Sequence, residues 1–367
     1  MKRATAVIGA VFGDEGKGLF TDYFCRLAGS EPLVVRFNGG AQAGHTVVTP
    51  TGIRHVFHHF GSGTLAGART YLSRFFLVNP ILWMKEHQEL QALSQQHNLG
   101  LRLRLFVDRE APLTTVIDMI EGQDRERQKR HGSCGAGIHA TMVRQKYAQY
   151  RLFAGDLDNP MFLSDRVYKI RKQVDSTISD EVIERFLEDC RLMRSHISFC
   201  DSRLMAAHPG DIVFEGAQGL LLDQDNMTFF PHVTHSHTGL RNVSELSREC
   251  NIDRMNVVYV LRSYITRHGA GLLPSEASEL SYPDDTNVEN EWQGKLRFAP
   301  LDARNREMVG NAIIRDFSGN ERAGMKLSVA MTHLDQCEIP NFEKLRTTFR
   351  SHGPSAGNIE GKAEWPH

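Results

Sequence analysis

The stretch Val7-Ile8-Gly9-Ala10-Val11-Phe12-Gly13-Asp14-Glu15-Gly16-Lys17-Gly18 constrains this chain more than any other, because an apolar strand runs straight into glycines carrying two carboxylates and one lysine. Glycines let the backbone turn back and bring its N–H groups close to an anion, and a following helix adds its positive end. Lys17 supplies a mobile positive charge. An ordinary P-loop reads Gly-x-x-x-x-Gly-Lys-[Ser/Thr], but here Val11 stands at the first glycine and Gly18 at the hydroxyl residue. The usual NTPase reading therefore fails. A carboxylate beside phosphate oxygens is repulsive unless it holds Mg²⁺ or takes a proton, so Asp14 and Glu15 point to chemistry at a phosphate and metal site. The same residues also suit a plain strand-to-helix turn, with acidic side chains favoured at the helix start.

A second loop adds weight to the first. Arg36-Phe37-Asn38-Gly39-Gly40-Ala41-Gln42-Ala43-Gly44-His45-Thr46 follows the strand Leu33-Val34-Val35 and again places glycines, amides and a histidine at a strand's carboxyl end. Two such loops on neighbouring strands would face one crevice. Strand-like runs at Thr5–Gly9, Leu33–Phe37, Leu101–Val107, Ile212–Phe214, Val257–Ile265 and Lys326–Thr332 alternate with helical patterns such as Pro80–His97 and Ser179–Ile197. The pattern predicts an α/β fold: a mostly parallel central sheet with helices on both faces. In the second helix Ser179 can cap, Asp180 and Glu181 favour the dipole, and Val182, Ile183, Phe186 and Leu187 form the core-facing stripe. The polar segment Ser281–Gly294 reads as a mobile loop. With 367 residues, 41% hydrophobic and 24% charged, the chain can bury a full core as one large domain, residues 1–367, with helical and loop excursions.

A net charge of −1 offers no basic field for a nucleic acid polymer or an anionic membrane, so a nucleotide partner must be gripped locally. Six scattered cysteines without a C-x-x-C pair, and no signal-like or spanning apolar run, predict a reduced, cytoplasmic protein. Arg54-His55-Val56-Phe57-His58-His59 and His232…His235…His237 invite a zinc reading, but neither has zincin spacing, and a structural or surface role is expected. His45 differs, since an imidazole between Gly44 and Thr46 can donate to a developing oxyanion or phosphoryl oxygen.

Gly-Asp-Glu-Gly-Lys-Gly followed by Gly-Gly-x-x-Ala-Gly-His-Thr resembles the adenylosuccinate synthetase family. The likeness continues through Gly132-Ser133-Cys134-Gly135-Ala136-Gly137-Ile138, Phe214-Glu215-Gly216-Ala217-Gln218-Gly219, Thr266-Arg267-His268-Gly269-Ala270-Gly271 and Pro274-Ser275-Glu276. In the third of these segments the family carries valine where His268 stands.

The resemblance implies a ligase that activates the 6-oxo group of a purine monophosphate with a nucleotide γ-phosphate and lets the amine of L-aspartate displace phosphate. It implies Asp14 as general base at purine N1, His45 stabilising the phosphoryl group and Lys17 neutralising phosphate charge. Mg²⁺ would be held by Asp14 and the Gly44 carbonyl. Gly13, Glu15, Gly16, Lys17, Gly18, Gly44, His45 and Thr46 would hold the triphosphate, with His333, Asp335, Gly353 and Pro354 around its base. Asp14, Asn38, Gln42, Ser133, Cys134, Gln218 and Thr234 would bind the monophosphate, and Lys295 and Arg297 the aspartate. The family works as a homodimer in which an arginine crosses to the partner's site; Arg144, Lys146 and Arg151 all stand near that position. Asp335 can also be read as a strand-end cap. Departures at Cys134, Lys295, His333 and Ser355, with the chain's length, resemble the phage branch that acts on dGMP with ATP or dATP. The branch acting on IMP with GTP is the alternative.

Overall fold

The computed structural model describes residues 3–129, 135–174, 177–284, 286–287, 294–337 and 345–362. Among them the strands are β1 (Ala4–Gly9), β2 (Leu33–Arg36), β3 (His45–Val48), β4 (Arg54–Phe57), β5 (Arg69–Leu72), β6 (Leu105–Asp108), β7 (Ile197–Cys200), β8 (Ile212–Glu215), β9 (Met255–Arg262), β10 (Tyr264–Arg267), β11 (Arg297–Pro300), β12 (Met325–Thr332), β13 (Thr347–Ser351) and β14 (Ile359–Glu360). The helices are α1 (Lys17–Arg26), α2 (Pro80–His97), α3 (Val116–Lys129), α4 (Ile138–Arg144), α5 (Pro160–Val174), α6 (Asp180–His196), α7 (Arg203–Ala207), α8 (Leu240–Glu249) and α9 (Ala303–Asn320).

Ten strands form one sheet in the order β14-β13-β12-β9-β1-β8-β2-β5-β6-β7. Every pairing in it is parallel except that of β13 with β14. Its central strands β1, β2, β8 and β9 are predominantly apolar because both faces are covered. Ala4, Ala6 and Ile8 of β1 share a core with Val243 and Leu246 of α8 and Val309 and Ile313 of α9. Val7, from the same strand, packs on the other face with Phe20 and Phe24 of α1. The expected sheet with helices on both faces is therefore present. Two hairpins stand apart from it, β3 with β4 and β10 with β11.

Local chemistry explains the elements. Asn79 caps α2, its side chain accepting from the N–H groups of Ile81 and Leu82, and Pro80 sits where no N–H is needed. Ser179 caps α6 at Val182 N, and Ile183, Phe186, Leu187, Cys190 and Met193 are buried. Val182, assigned to that stripe from the sequence, is 37% exposed and lies outside it. The run Val257–Ile265 is two strands: β9 stays in the main sheet, whereas β10 turns away to pair with β11. The break falls at Ser263, which donates its N–H to Thr332 O and its hydroxyl to His333 O. The run at Leu101–Val107 begins pairing only at Leu105. Of the segment Ser281–Gly294, residues 285 and 288–293 lie outside the described residues. Its described part is anchored, with Tyr282 stacked on Tyr264 at 3.9 Å and Asp284 paired to Arg262 at 2.8 Å. No described helix is long and apolar enough to cross a membrane.

The far edge of the sheet is held by Phe349, whose ring meets Phe20, Tyr23 and Phe24 edge-on at 5.9, 6.1 and 5.6 Å. Phe349→Ala should cost roughly 3–5 kcal/mol in denaturant-induced unfolding. A loss under about 1 kcal/mol would mean that this edge is secured elsewhere.

Candidate active site

Because the sheet is parallel around β1, the carboxyl ends of β1, β2, β8, β9 and β12 open on one side, where a ligand crevice is expected. At the centre the loop after β1 folds around its own carboxylate. Glu15 Oε1 accepts from the N–H groups of Val11 (3.0 Å) and Gly13 (2.8 Å), and Glu15 Oε2 pairs with Lys17 Nζ at 2.7 Å. Both side chains are buried. Thus Glu15 occupies the donors that the loop would offer to a phosphate, and Lys17 is neutralised in this state. Gly9 is required here by contact: a Cβ there would lie 2.4 Å from Gln218 O and 2.5 Å from Glu15 Oε2. Gly18 is explained the same way, since a Cβ would meet Thr46 O at 2.9 Å. The helix start packs on the second loop too tightly for the hydroxyl residue of a P-loop.

Asp14 stands apart from its neighbour. It adopts a left-handed backbone, φ 61°, and its side chain is 29% exposed. Among the described residues its carboxylate accepts no hydrogen bond, and its nearest basic neighbour is His268 Nε2 at 3.6 Å. Its carbonyl accepts from Arg262 Nε. A carboxylate with its lone pairs unspent is a suitable ligand for Mg²⁺, a hard ion that takes oxygen donors, and Gly44 is exposed at the end of the neighbouring loop.

His45 is the first residue of β3 rather than a loop residue, and it is 6% exposed. Its Nδ1 lies 2.7 Å from Glu215 Oε1 at the end of β8. Glu215 also accepts from Ser62 N (3.0 Å) and the Ser62 hydroxyl, and faces Arg36, its cross-strand partner, at 3.9 Å. Burial drives His45 down to about 4, against the pull of Glu215. Despite its burial, the surrounding imidazole, guanidinium and hydroxyl hold Glu215 down near 2. The resting pair is therefore carboxylate and neutral imidazole, with Nδ1–H donating to Glu215 and Nε2 left as an acceptor. Donation to a phosphoryl oxygen requires a second proton, which an arriving phosphate anion favours by its charge. Glu215 appeared in the sequence motif without a role; its partner lies 170 residues away, which no local pattern reveals.

The other expected residues separate into groups. The amides of Gln42 and Gln218 converge at Gly39, where a built Cβ would sit 3.4 Å from Gln42 Nε2 and 3.2 Å from Gln218 Oε1. Both amide oxygens are buried without a partner, as a ligand-facing pair would be. Asn38, by contrast, exchanges two hydrogen bonds with the Ala217 backbone (3.0 and 2.7 Å) and works as a clamp between loops. Thr234 is half-buried, its N–H held by Leu222 O. Ser133 and Cys134 lie outside the described residues. Arg144 is buried on Asp118 at 2.9 Å and donates to the carbonyls of Leu113 and Tyr150, so its guanidinium is spent within its own chain; Lys146 and Arg151 are exposed. Lys295 is exposed, whereas the fork of Arg297 is held by Glu276 at 2.6 Å and by the carbonyls of Gly269 and Gly271. An incoming carboxylate must displace Glu276 to use it.

Among the residues expected around the triphosphate's base, His333 has φ 59° and its Nδ1 contacts Thr332 Oγ1 at 2.8 Å. Burial and Arg262 push it down to about 3, so it carries no charge. Asp335 is exposed and makes no cap hydrogen bond among the described residues. Gly353 and Pro354 follow β13, with Gly353 O accepting from Ser351 Oγ. Of the remaining histidines, His58 contacts Ala41 O at 3.0 Å, His59 pairs with Glu86, and His237 faces Asp223 at 3.5 Å.

Residues 6–297 match the family model described as adenylosuccinate synthetase. Similar curated proteins carry that name: one from Mycobacterium leprae is 32% identical over 292 residues, covering 74% of this chain and 65% of that protein. One from Thermoplasma acidophilum is 28% identical over 290 residues, 75% of this chain and 64% of that protein. The chain thus spans just under two thirds of the length of these relatives. Among solved structures, fully ligated adenylosuccinate synthetase from Plasmodium falciparum superposes with a TM-score of 0.75 at 19% identity, over 99% of this chain and 100% of that one. The cyanophage S-2L succinoaminodeoxyadenylate synthetase, bound to dGMP and dATP, gives 0.65 at 18% identity, over 99% and 96%. At these identities the two structures establish the fold.

The His45 geometry sets a pH dependence. The unfolded chain protonates this histidine near 6.5 and the folded protein only near 4, so stability present above 6.5 is lost as pH falls through that window. His55, His59 and His87 are lowered too and act in the same direction. Chemical denaturation at stepped pH should show a shallower decline for His45→Gln. An unchanged slope would mean that His45 takes up its proton equally in the folded and unfolded chain.

Proposed function

The chain belongs to the adenylosuccinate synthetase family, and from that premise we propose that it is a C–N ligase joining L-aspartate to C6 of a purine monophosphate at the expense of a nucleoside triphosphate. The observation that carries this reading is the pairing of an unspent carboxylate, Asp14, with a buried Glu215–His45 couple beside a lysine-bearing glycine loop. Asp14 takes the N1 proton, which makes the 6-oxygen a nucleophile toward the γ-phosphorus; the nucleoside diphosphate leaves. His45, protonated as phosphate charge arrives, donates from Nε2 to the phosphoryl group. The aspartate amine then attacks C6 and phosphate departs with the former 6-oxygen. Mg²⁺, held by Asp14 and the Gly44 carbonyl, would neutralise triphosphate charge. Gln42 and Gln218 orient the monophosphate, with Ser133, Cys134 and Thr234 at its phosphate; the rest of the catalysis is positioning.

The proposed substrate is dGMP and the donor ATP or dATP. An uncharged His333 supports a changed base pocket, because adenine offers Asp335 only its N6–H₂ where guanine offers two donors. Lys295, a point charge where the family has an arginine fork, supports a weaker demand for the ribose 2′-hydroxyl. The fold likeness to the S-2L enzyme is compatible with this branch. The second reading, IMP with GTP, is favoured by the curated relatives, which are named adenylosuccinate synthetase. A homodimer is proposed in either case, with Lys146 or Arg151 as the crossing residue.

Phosphate release from purified protein, measured over IMP, dIMP, GMP and dGMP with each triphosphate, tests the reading. Release should depend on aspartate, kcat/KM should be higher for dGMP than for IMP, and ATP or dATP should serve at least as well as GTP. Asp14→Asn should lower turnover by at least about 10². Equal or better use of IMP transfers the assignment to the second reading, and near-normal turnover in Asp14→Asn removes Asp14 from the chemistry.

A further inference from the structure

A closed circuit of polar contacts surrounds Asp14. Arg262 donates Nε to the Asp14 carbonyl and pairs through Nη2 with Asp284 at 2.8 Å. Asp284 accepts from the Asn287 backbone N–H (2.9 Å) and from its side-chain amide (2.8 Å). Asn287 Oδ1 lies 3.2 Å from His268 Nε2, and the same Nε2 lies 3.6 Å from Asp14 Oδ2. His268 Nδ1 is buried and has no hydrogen-bond partner, so a hydrogen there would have no acceptor. The ring hydrogen therefore sits on Nε2, between the Asn287 amide oxygen and the Asp14 carboxylate.

We propose that His268 is a positioning residue for Asp14. Arg262 fixes the Asp14 backbone, which leaves the side-chain torsions to place the carboxylate. His268, half-buried and fixed in tautomer by Asn287, is the nearest basic group to that carboxylate. It favours the rotamer that turns Asp14 toward its own Nε2–H, and it restrains the carboxylate without consuming it, since 3.6 Å is too long for a full hydrogen bond. The same ring ties Asn287, which leads in sequence to Lys295 and Arg297, to the proposed base Asp14. A valine at position 268 can do neither.

The proposal rests on the reading of Asp14 as the base, and its test separates the two. With the best substrate pair from the panel above, His268→Val should lower kcat roughly tenfold while KM for the purine monophosphate changes less than about threefold, because placement of the base is lost rather than ground-state binding. His268→Gln, whose amide can donate toward the same oxygen, should recover most of kcat. In an Asp14→Asn background His268→Val should add nothing. Long-range ¹H–¹⁵N spectra of the imidazoles give a readout independent of turnover: the His268 Nε2 resonance should move in Asp14→Asn, and Asn287→Ala should erode the preference for the Nε2–H tautomer. The proposal is overturned by an unchanged kcat in His268→Val, by equal losses in the valine and glutamine variants, or by an Nε2 resonance indifferent to Asp14→Asn. If Asp14→Asn is inactive while His268→Val is normal, only the positioning role fails; if Asp14→Asn is active, both readings fall.

Discussion

The buried carboxylate of Glu15 is the interaction on which the rest of the site depends. A carboxylate removed from water must be fully compensated, and here two backbone N–H groups of its own loop and the Lys17 ammonium do so. Satisfying it forces the loop into one shape, and that shape in turn requires Gly9 and Gly18 to carry no side chain. The neighbouring loops inherit their positions from this knot. Gln218 backs onto Gly9, and Asn38 clamps the Gln218 loop to the end of β2.

Around that knot, charge is distributed by burial. Glu15 and Glu215 are buried and each is paired with a cation or a proton donor, so neither is free to do chemistry without losing its partner. Asp14 is the more exposed carboxylate and accepts no hydrogen bond from the described residues. The three acids lie at the carboxyl ends of the central strands β1 and β8 and differ in burial and in the partners that accompany it. That difference is why the proposed mechanism gives proton transfer to Asp14 and leaves the other two to structure and electrostatics.

The apolar strands and the glycine-marked loops were legible because they are local: near-continuous apolar runs on strands with both faces buried, and turns that favour glycine. Pro80–His97 was legible to the residue because Asn79 and Asn98 mark its ends. β5 was not, since Arg69-Thr70-Tyr71-Leu72 carries a charge and a hydroxyl that are spent on Glu31 and the Gly61 N–H. β7 was missed and its first residue counted with the helix before it, because α6 passes into the strand at Ile197 with no glycine or proline between them. The segment at 281–294 looked mobile for its polarity, yet the polar groups of its described part are used by Arg262 and Tyr264. In the site, residue types in a loop were readable, and the partners that define their protonation were not. Glu215 for His45 and Asn287 for His268 come from distant parts of the chain and meet only in the fold.

The placement of β1 has a consequence for synthesis. Ala4 pairs with Ile212 and Thr5 with Asn256, so both neighbours of the strand that enters the phosphate loop are made long after it. Until β9 is complete, a largely apolar segment waits with both edges unpaired, and closing those long loops is the slow, aggregation-exposed part of assembly. The bonds that Glu15 makes within its own loop are local, but the Val260 and Thr332 contacts that seat the loop are not. A nascent chain halted before Arg262 would carry the whole glycine-loop sequence without the Thr332 contact that helps seat it.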